Sequence, residues 1–147
     1  VVLDAGCGTG RVTEALAARL PAGRVVALDR SPAMAALARR RLPSPRCSTV
    51  VADLAAPLPF APRSFDAVLS TAALHWVPGH RRLFAELARV LRPGGQLVVQ
   101  CGGAGNIASV GVVLEQIGAG AGPWAFTSPD QADAFLGKQG STGTGRG

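Results

Sequence analysis

Short apolar runs alternate along most of the chain with longer amphipathic stretches. The apolar runs predict five strands, at Val1–Asp4, Arg24–Asp29, Ser48–Ala52, Phe65–Thr71 and Gln96–Cys101. The stretches between and after them repeat apolar residues every three or four positions, which predicts helices at Arg11–Leu20, Pro32–Leu42, Gly79–Leu91, Asn106–Ile117 and Pro129–Leu136. Strands that alternate with helices indicate a mostly parallel sheet with helices on both faces, a doubly wound, Rossmann-like α/β fold.

The ends of the predicted strands are the places to look for a site. In doubly wound sheets the ligand lies at the carboxyl ends of the strands, near the point where the strand order reverses. The segments at those ends are Asp4–Gly10, Asp29, Asp53 and Ser70–His75.

Composition restricts the class of protein. Apolar residues make up 48% of the 147 and charged residues 16%, so one domain with a real core is expected. No apolar run approaches the roughly 18 residues of a membrane span, and no signal-peptide layout is present. Three widely spaced cysteines without a CxxC pair predict a reduced, cytoplasmic protein without a cysteine metal site.

The net charge of +6 raises the question whether the protein binds nucleic acid. The arginines are scattered, with one tight cluster at Arg39–Arg41, and no aromatic residues interleave with them. Charge alone therefore does not indicate nucleic-acid binding.

Glycines at positions 6, 8 and 10 follow the first strand directly. A dinucleotide fingerprint would place its last glycine at position 11, which is Arg11, and the P-loop pattern is absent as well. The loop leads into a helix N-terminus, which suits an anionic group, while Asp4 suits a cation. A ligand that carries both a carboxylate and an ammonium, such as an amino-acid moiety, fits both features.

At this point the sequence resembles a known family. The VLDAGCGTG segment is similar to the first motif of class I S-adenosylmethionine-dependent methyltransferases. Asp29, Asp53, SFDAV at the fourth strand and LRPGG before the fifth occur in the family's order. ALHWV at residues 73–77 resembles the small-molecule branch that includes trans-aconitate and quinone-biosynthesis methyltransferases. The resemblance covers residues 1–136.

The resemblance implies a cofactor, S-adenosylmethionine, with S-adenosylhomocysteine as product and no metal. Asp29 would bind the ribose hydroxyls and Asp53 the adenine amine, while Met34 would pack on the adenine. The full set of cofactor-binding residues that it implies is Asp4, Gly6, Cys7, Gly8, Thr9, Gly10, Asp29, Arg30, Met34, Asp53, Leu54 and Thr71.

The implied reaction moves a methyl group to an O, N or C nucleophile of a small molecule. The acceptor would lie near Leu74, His75 and Trp76. His75 is a weak candidate for acid–base catalysis, because methyl transfer depends mainly on holding the nucleophile in line with a reactive sulfonium.

Two alternatives remain open. The chain lacks a lead-in helix and ends in GSTGTGRG, so we expect a methyltransferase domain truncated at both ends, with a disordered Gly-rich tail at 137–147. Such a remnant would at most bind the cofactor. An RNA methyltransferase is less favoured, and the segment Ser70–Ala73 lacks the D/N-P-P-Y/F motif of DNA amino-methyltransferases.

Overall fold

The computed structural model describes residues 1–42, 45–101 and 128–136. Five strands form one sheet in which each neighbouring pair is parallel, in the order β3-β2-β1-β4-β5. Their bounds are β1 Val2–Ala5, β2 Val25–Asp29, β3 Cys47–Val51, β4 Phe65–Thr71 and β5 Leu91–Gln100. The doubly wound parallel sheet predicted from the sequence is confirmed.

The helices begin close to the predicted positions. They are α1 Arg11–Arg19, α2 Pro32–Arg41, α3 His80–Val90 and α4 Pro129–Leu136, with a 3-10 turn at Leu74–Trp76 before α3. Ser31 caps α2 as predicted, since its hydroxyl accepts a hydrogen bond from the backbone of Met34 at 3.3 Å. The helix predicted at Asn106–Ile117 and the tail at 137–147 lie outside the described residues.

The core lies between the sheet and α3. The inward positions of α3, which are Leu83, Phe84, Leu87 and Val90, pack with β1 and β4 side chains such as Leu3 and Val68. The ring of Phe135 from α4 stacks on Phe84, with centroids 6.1 Å apart. The strong apolar stripe of α3 thus fixes it to one face of the sheet.

Helix α1 buries a polar residue instead of its apolar row. Val12, Leu16 and Leu20 share one face in the sequence pattern, yet Val12 is 40% exposed and the residue that α1 buries completely is Thr13. The reason is a hydrogen bond from Thr13 to the buried carboxylate of Asp4. Val12 is consequently free to face the cleft described below.

Strand β5 begins earlier than predicted. Leu91 pairs with Phe65 immediately after α3, and the regular register resumes where Gln96 pairs with Ala67. Residues 92–95 form a bulge between these pairs, in which Gly94 has a φ of +77°. The LRPGG segment is therefore a bulged part of the edge strand in the described sheet, whereas the sequence pattern placed it before that strand.

The strand order reverses between β1 and β4. The chain moves outward from β1 to β2 and β3, and then returns across the sheet to β4 on the other side of β1. The loops after these four strands therefore meet at one edge, with the β1 loop in the middle. Among the described residues, no helix is long and apolar enough to cross a membrane. The cytoplasmic location stays a prediction.

Candidate cofactor cleft

A cleft of about 630 Å³ opens at the edge where the strands end. Its walls come from the loops after β1, β2, β3 and β4. The lining residues are Gly6, Cys7, Gly8, Thr9, Arg11, Val12, Leu28, Asp29, Arg30, Asp53, Leu54, Ala55, Thr71, Ala72, Ala73, Trp76, Val77 and Pro78. The site predicted for this fold and the observed cleft thus coincide in position.

The glycine loop is shaped by three left-handed residues. Gly6, Gly8 and Gly10 have φ angles of +87°, +54° and +80°, a region that favours glycine. A Cβ on Gly6 would lie 2.2 Å from the Cβ of Ala73, so the β1 and β4 loops touch there. A Cβ on Gly8 would meet nothing within 4 Å, which means that the loop has open space above it for a ligand.

Asp29 holds the glycine loop and faces the cleft at the same time. Its Oδ2 accepts a hydrogen bond from the backbone of Gly8 at 2.8 Å, and its Oδ1 accepts one from Ser31 at 2.9 Å. Each carboxylate oxygen can accept a second hydrogen bond. The carboxylate is therefore fixed in orientation and still able to accept donors from a ligand.

Asp53 follows β3 on the same side of β1. Its Oδ1 accepts a hydrogen bond from the backbone of Ala55 at 2.8 Å, which closes a tight turn and places the carboxylate at the cleft. Leu54 is nearly buried beside it and forms part of the wall.

A charged pair on α3 fastens the loop that carries Asp53. Arg89 makes a two-point contact with Glu86 at 2.9 and 2.8 Å, and it also donates to the carbonyl oxygens of Phe60 at 2.8 Å and Leu58 at 3.1 Å. Glu86 in turn accepts a hydrogen bond from the backbone of Leu58 at 2.8 Å. The hydrogen bonds from Arg89 hold the pKa of Glu86 below its ordinary value. Sequence analysis missed this pair, although its i, i+3 spacing on a predicted helix was visible.

Asp4 lies beneath the glycine loop and does not line the cleft. It is completely buried, and its Oδ2 accepts a hydrogen bond from the Thr13 hydroxyl at 2.6 Å. Among the described residues, its Oδ1 has no hydrogen-bond partner. Burial raises the pKa of Asp4, while the hydrogen bond from Thr13 lowers it and the charge of Asp29 raises it further. Asp4 thus lies outside the cleft lining, with one carboxylate oxygen bonded by Thr13 of α1, and its role in cofactor binding stays a prediction.

Cys7 forms part of the cleft wall as an unreactive thiol. Burial, followed by the charges of Asp4 and Asp29, raises the pKa of its thiol to about 12. A thiol with such a pKa stays protonated near neutral pH, so the position has no nucleophilic character.

Ten of the site residues predicted from the sequence line the cleft, the first of them Gly6 and the last Trp76. Five others lie outside its lining: Asp4, Gly10, Met34, Leu74 and His75. Gly10 instead packs against Ala38 of α2. Met34 is 39% exposed on the first turn of α2, and Leu74 is only 2% exposed in the core. The His75 ring contacts the Trp76 ring, with centroids 5.2 Å apart.

Several lining residues were missed by sequence analysis. Arg11 and Val12 belong to the first turn of α1, and Ala72 and Ala73 follow β4. Arg11 and Val12 could have been predicted, because they follow the glycine loop directly in the sequence. Nothing in the sequence indicates that Ala72 takes a left-handed backbone with a φ of +52°.

The residues of the cleft fit an adenosyl amino acid by their chemistry. The carboxylates of Asp29 and Asp53 can accept hydrogen bonds from hydroxyl and amino groups. They lie beside apolar wall residues, which are Val12, Leu28 and Val77. The open glycine loop adds a surface that a ligand can approach closely. In the described part of the chain, no three His, Cys, Asp or Glu side chains are grouped so as to hold a metal ion.

Comparison with known proteins agrees with this chemistry. Residues 3–99 match the model of a family described as a methyltransferase domain. Trans-aconitate 2-methyltransferase from Methylobacterium radiotolerans is 40% identical over 134 residues, which is 91% of this chain and 49% of that protein. The chain thus spans about half the length of this relative.

Solved structures show the same fold. An S-adenosylmethionine-dependent methyltransferase from Mesorhizobium loti aligns with a TM-score of 0.64 and 35% identity, over 69% of this chain and 46% of that one. The phosphoethanolamine N-methyltransferase 2 of Haemonchus contortus, solved with phosphomonomethylethanolamine and S-adenosylhomocysteine, aligns with a TM-score of 0.76 and 26% identity, over 95% of this chain and 32% of that one. With a family match over well over half its length, the chain belongs to the class I S-adenosylmethionine-dependent methyltransferases.

Proposed function

We propose that this chain binds S-adenosylmethionine in the cleft and transfers its methyl group to a small-molecule acceptor. The observation that carries the proposal is the meeting of three elements at one sheet edge: the open glycine loop, Asp29 and Asp53. Membership of the methyltransferase family supports the same assignment.

The adenosine half of the cofactor belongs at the β2 and β3 ends. The Asp29 carboxylate accepts hydrogen bonds from the ribose hydroxyls, and Asp53 accepts from the adenine amine. Each charge-assisted hydrogen bond of this kind contributes about 1.5–3 kcal/mol. Leu28 and Leu54 supply apolar surface beside them.

The amino-acid half belongs over the β1 loop. There the buried Asp4 lies beneath the glycines with one oxygen that has no partner in the described chain, so a positive charge above it is stabilised. A bound S-adenosylmethionine supplies a methyl carbon already activated by its sulfonium. The chain's own contribution is to fix the orientation of the reactants and to exclude water with walls such as Val12 and Trp76.

For the acceptor we propose a small polycarboxylic acid, methylated on a carboxylate oxygen. The support is the 40% identical relative, which is named trans-aconitate 2-methyltransferase. The β4 loop, with Thr71 and Trp76, lines the part of the cleft opposite the two acids. This loop is where the acceptor would lie.

Titration calorimetry with S-adenosylmethionine and S-adenosylhomocysteine tests the cofactor assignment. We expect Asp29→Ala to lower the affinity at least about tenfold, because it removes a charged acceptor and the hydrogen bond to Gly8. Asp130→Ala on α4 is the matched control, since it removes an exposed carboxylate away from the cleft. Unchanged affinity in a folded Asp29→Ala variant would overturn the assignment.

A further inference from the structure

Arg11 stands out among the residues of the cleft. It is the first residue of α1 and lines the cleft beside Val12. Its guanidinium makes no hydrogen bond or ion pair with any residue that the structure describes, whereas Arg41 and Arg89 both pair with glutamates. A cation at a helix N-terminus is also opposed by the helix dipole. Helix stability therefore does not account for an arginine here.

The strand order sets the place of Arg11 in the cleft. Asp29 ends β2 and Asp53 follows β3, both on one side of β1. Arg11 follows the β1 loop, which lies between these acids and the β4 loop: Gly8 donates a backbone hydrogen bond to Asp29, and a Cβ on Gly6 would meet Ala73. The other arginine of the cleft, Arg30, is the direct neighbour of Asp29. Arg11 is thus the arginine that follows the glycine loop, where the proposed function places the amino-acid half of the cofactor.

We infer that Arg11 is the carboxylate-recognition residue of this cleft. The inference rests on the proposed function, which places carboxylates of two origins at this end: the α-carboxylate of the cofactor and the carboxylates of the acceptor. A guanidinium matches a carboxylate with two parallel N–H donors, a geometry that no lysine provides. The open space around the neighbouring loop leaves room for such a group.

Calorimetry on three variants tests the inference. Arg11→Gln removes the charge and Arg11→Lys keeps it without the paired donors. Arg19→Gln is the matched control, because it removes the same charge from an exposed position at the other end of α1, outside the cleft lining. The probes are S-adenosylmethionine, its decarboxylated analogue, and trans-aconitate added to the chain saturated with S-adenosylhomocysteine.

Each source of the carboxylate gives its own pattern. If the cofactor supplies the carboxylate, Arg11→Gln lowers the affinity for S-adenosylmethionine at least about tenfold and leaves the affinity for the decarboxylated analogue unchanged. If the acceptor supplies the carboxylate, Arg11→Gln lowers the affinity for trans-aconitate by a similar factor and leaves the affinities for both cofactor forms unchanged. In either case Arg11→Lys recovers only part of the loss, and Arg19→Gln leaves all three affinities unchanged.

The inference is overturned if Arg11→Gln binds all three probes as the wild type does. It is also overturned if Arg19→Gln causes the same losses, because that result would mean a general effect of charge. A wild-type chain that is folded and binds neither form of the cofactor contradicts the proposed function itself. That failure is visible before any Arg11 variant is measured.

Discussion

Replacing Gly6 with alanine is expected to destabilise the fold strongly, whereas the same change at Gly8 is expected to be mild. Both residues have a left-handed backbone, for which alanine is disfavoured by about 1–2 kcal/mol. At Gly6 the new Cβ would also lie 2.2 Å from that of Ala73, far inside an ordinary contact distance. Overpacking of this kind adds about 1–3 kcal/mol. The expected total for Gly6→Ala is therefore about 2–5 kcal/mol.

Urea unfolding followed by circular dichroism measures both variants. Since domains of this size have a free energy of unfolding of about 5–15 kcal/mol, the loss at Gly6 is readily measured. A double-mutant cycle isolates the contact, because Ala73→Gly removes the opposing Cβ. The Gly6→Ala, Ala73→Gly pair is expected to recover the part of the loss that comes from overlap, about 1–3 kcal/mol.

Two results would refute this reasoning. One is equal destabilisation by Gly6→Ala and Gly8→Ala, which would leave only the backbone effect. The other is the absence of coupling between positions 6 and 73. Gly8→Ala carries a second expectation, since its methyl group projects into open space above the loop. It is expected to lower affinity for S-adenosylhomocysteine more than it lowers stability.

Two further predictions concern groups buried around the same loop. Thr13→Val removes the hydrogen bond to the Asp4 carboxylate and is expected to destabilise the fold by about 1–3 kcal/mol at neutral pH. In the folded chain the pKa of Asp4 lies above its unfolded value of 3.8, so stability falls as the pH rises from the unfolded to the folded pKa. Thr13→Val raises the folded pKa further, because it removes a hydrogen bond to the charged form. The deficit is therefore expected to grow from acid to neutral pH in urea titrations, and a pH-independent deficit would contradict the assignment. Cys7, with a pKa of about 12, is expected to react with iodoacetamide at pH 8 roughly a thousandfold more slowly in the folded chain than in denaturant. Site-resolved mass spectrometry measures this ratio, and equal rates in both states would show that the thiol is not shielded.

The strand pattern and the glycine loop could be predicted from the sequence because both are local. Apolar runs mark strands that are buried on both faces, and closely spaced glycines mark a turn with left-handed residues. Asp29 was placed at the site for the same reason, since it directly ends a strand. Local patterns thus located the cleft.

The differences between the predictions and the structure come from long-range packing. Asp4 was placed in the site because it precedes the loop, but Thr13 of the following helix covers it. The LRPGG segment was placed before the fifth strand, since its pairing with β4 depends on the register of a distant strand. Leu74 was assigned to the acceptor, yet the 3-10 turn directs it into the core.

The ion pair of Glu86 and Arg89 has a consequence for the energetics of ligand binding. The segment 52–64 has no helix or strand of its own, and a free loop of that length would lose conformational entropy when a ligand orders it. Three hydrogen bonds tie Leu58 and Phe60 of this segment to one turn of α3. Much of the ordering is therefore completed during folding, and the side of the cleft to which we assign the adenine is preorganised before a ligand binds.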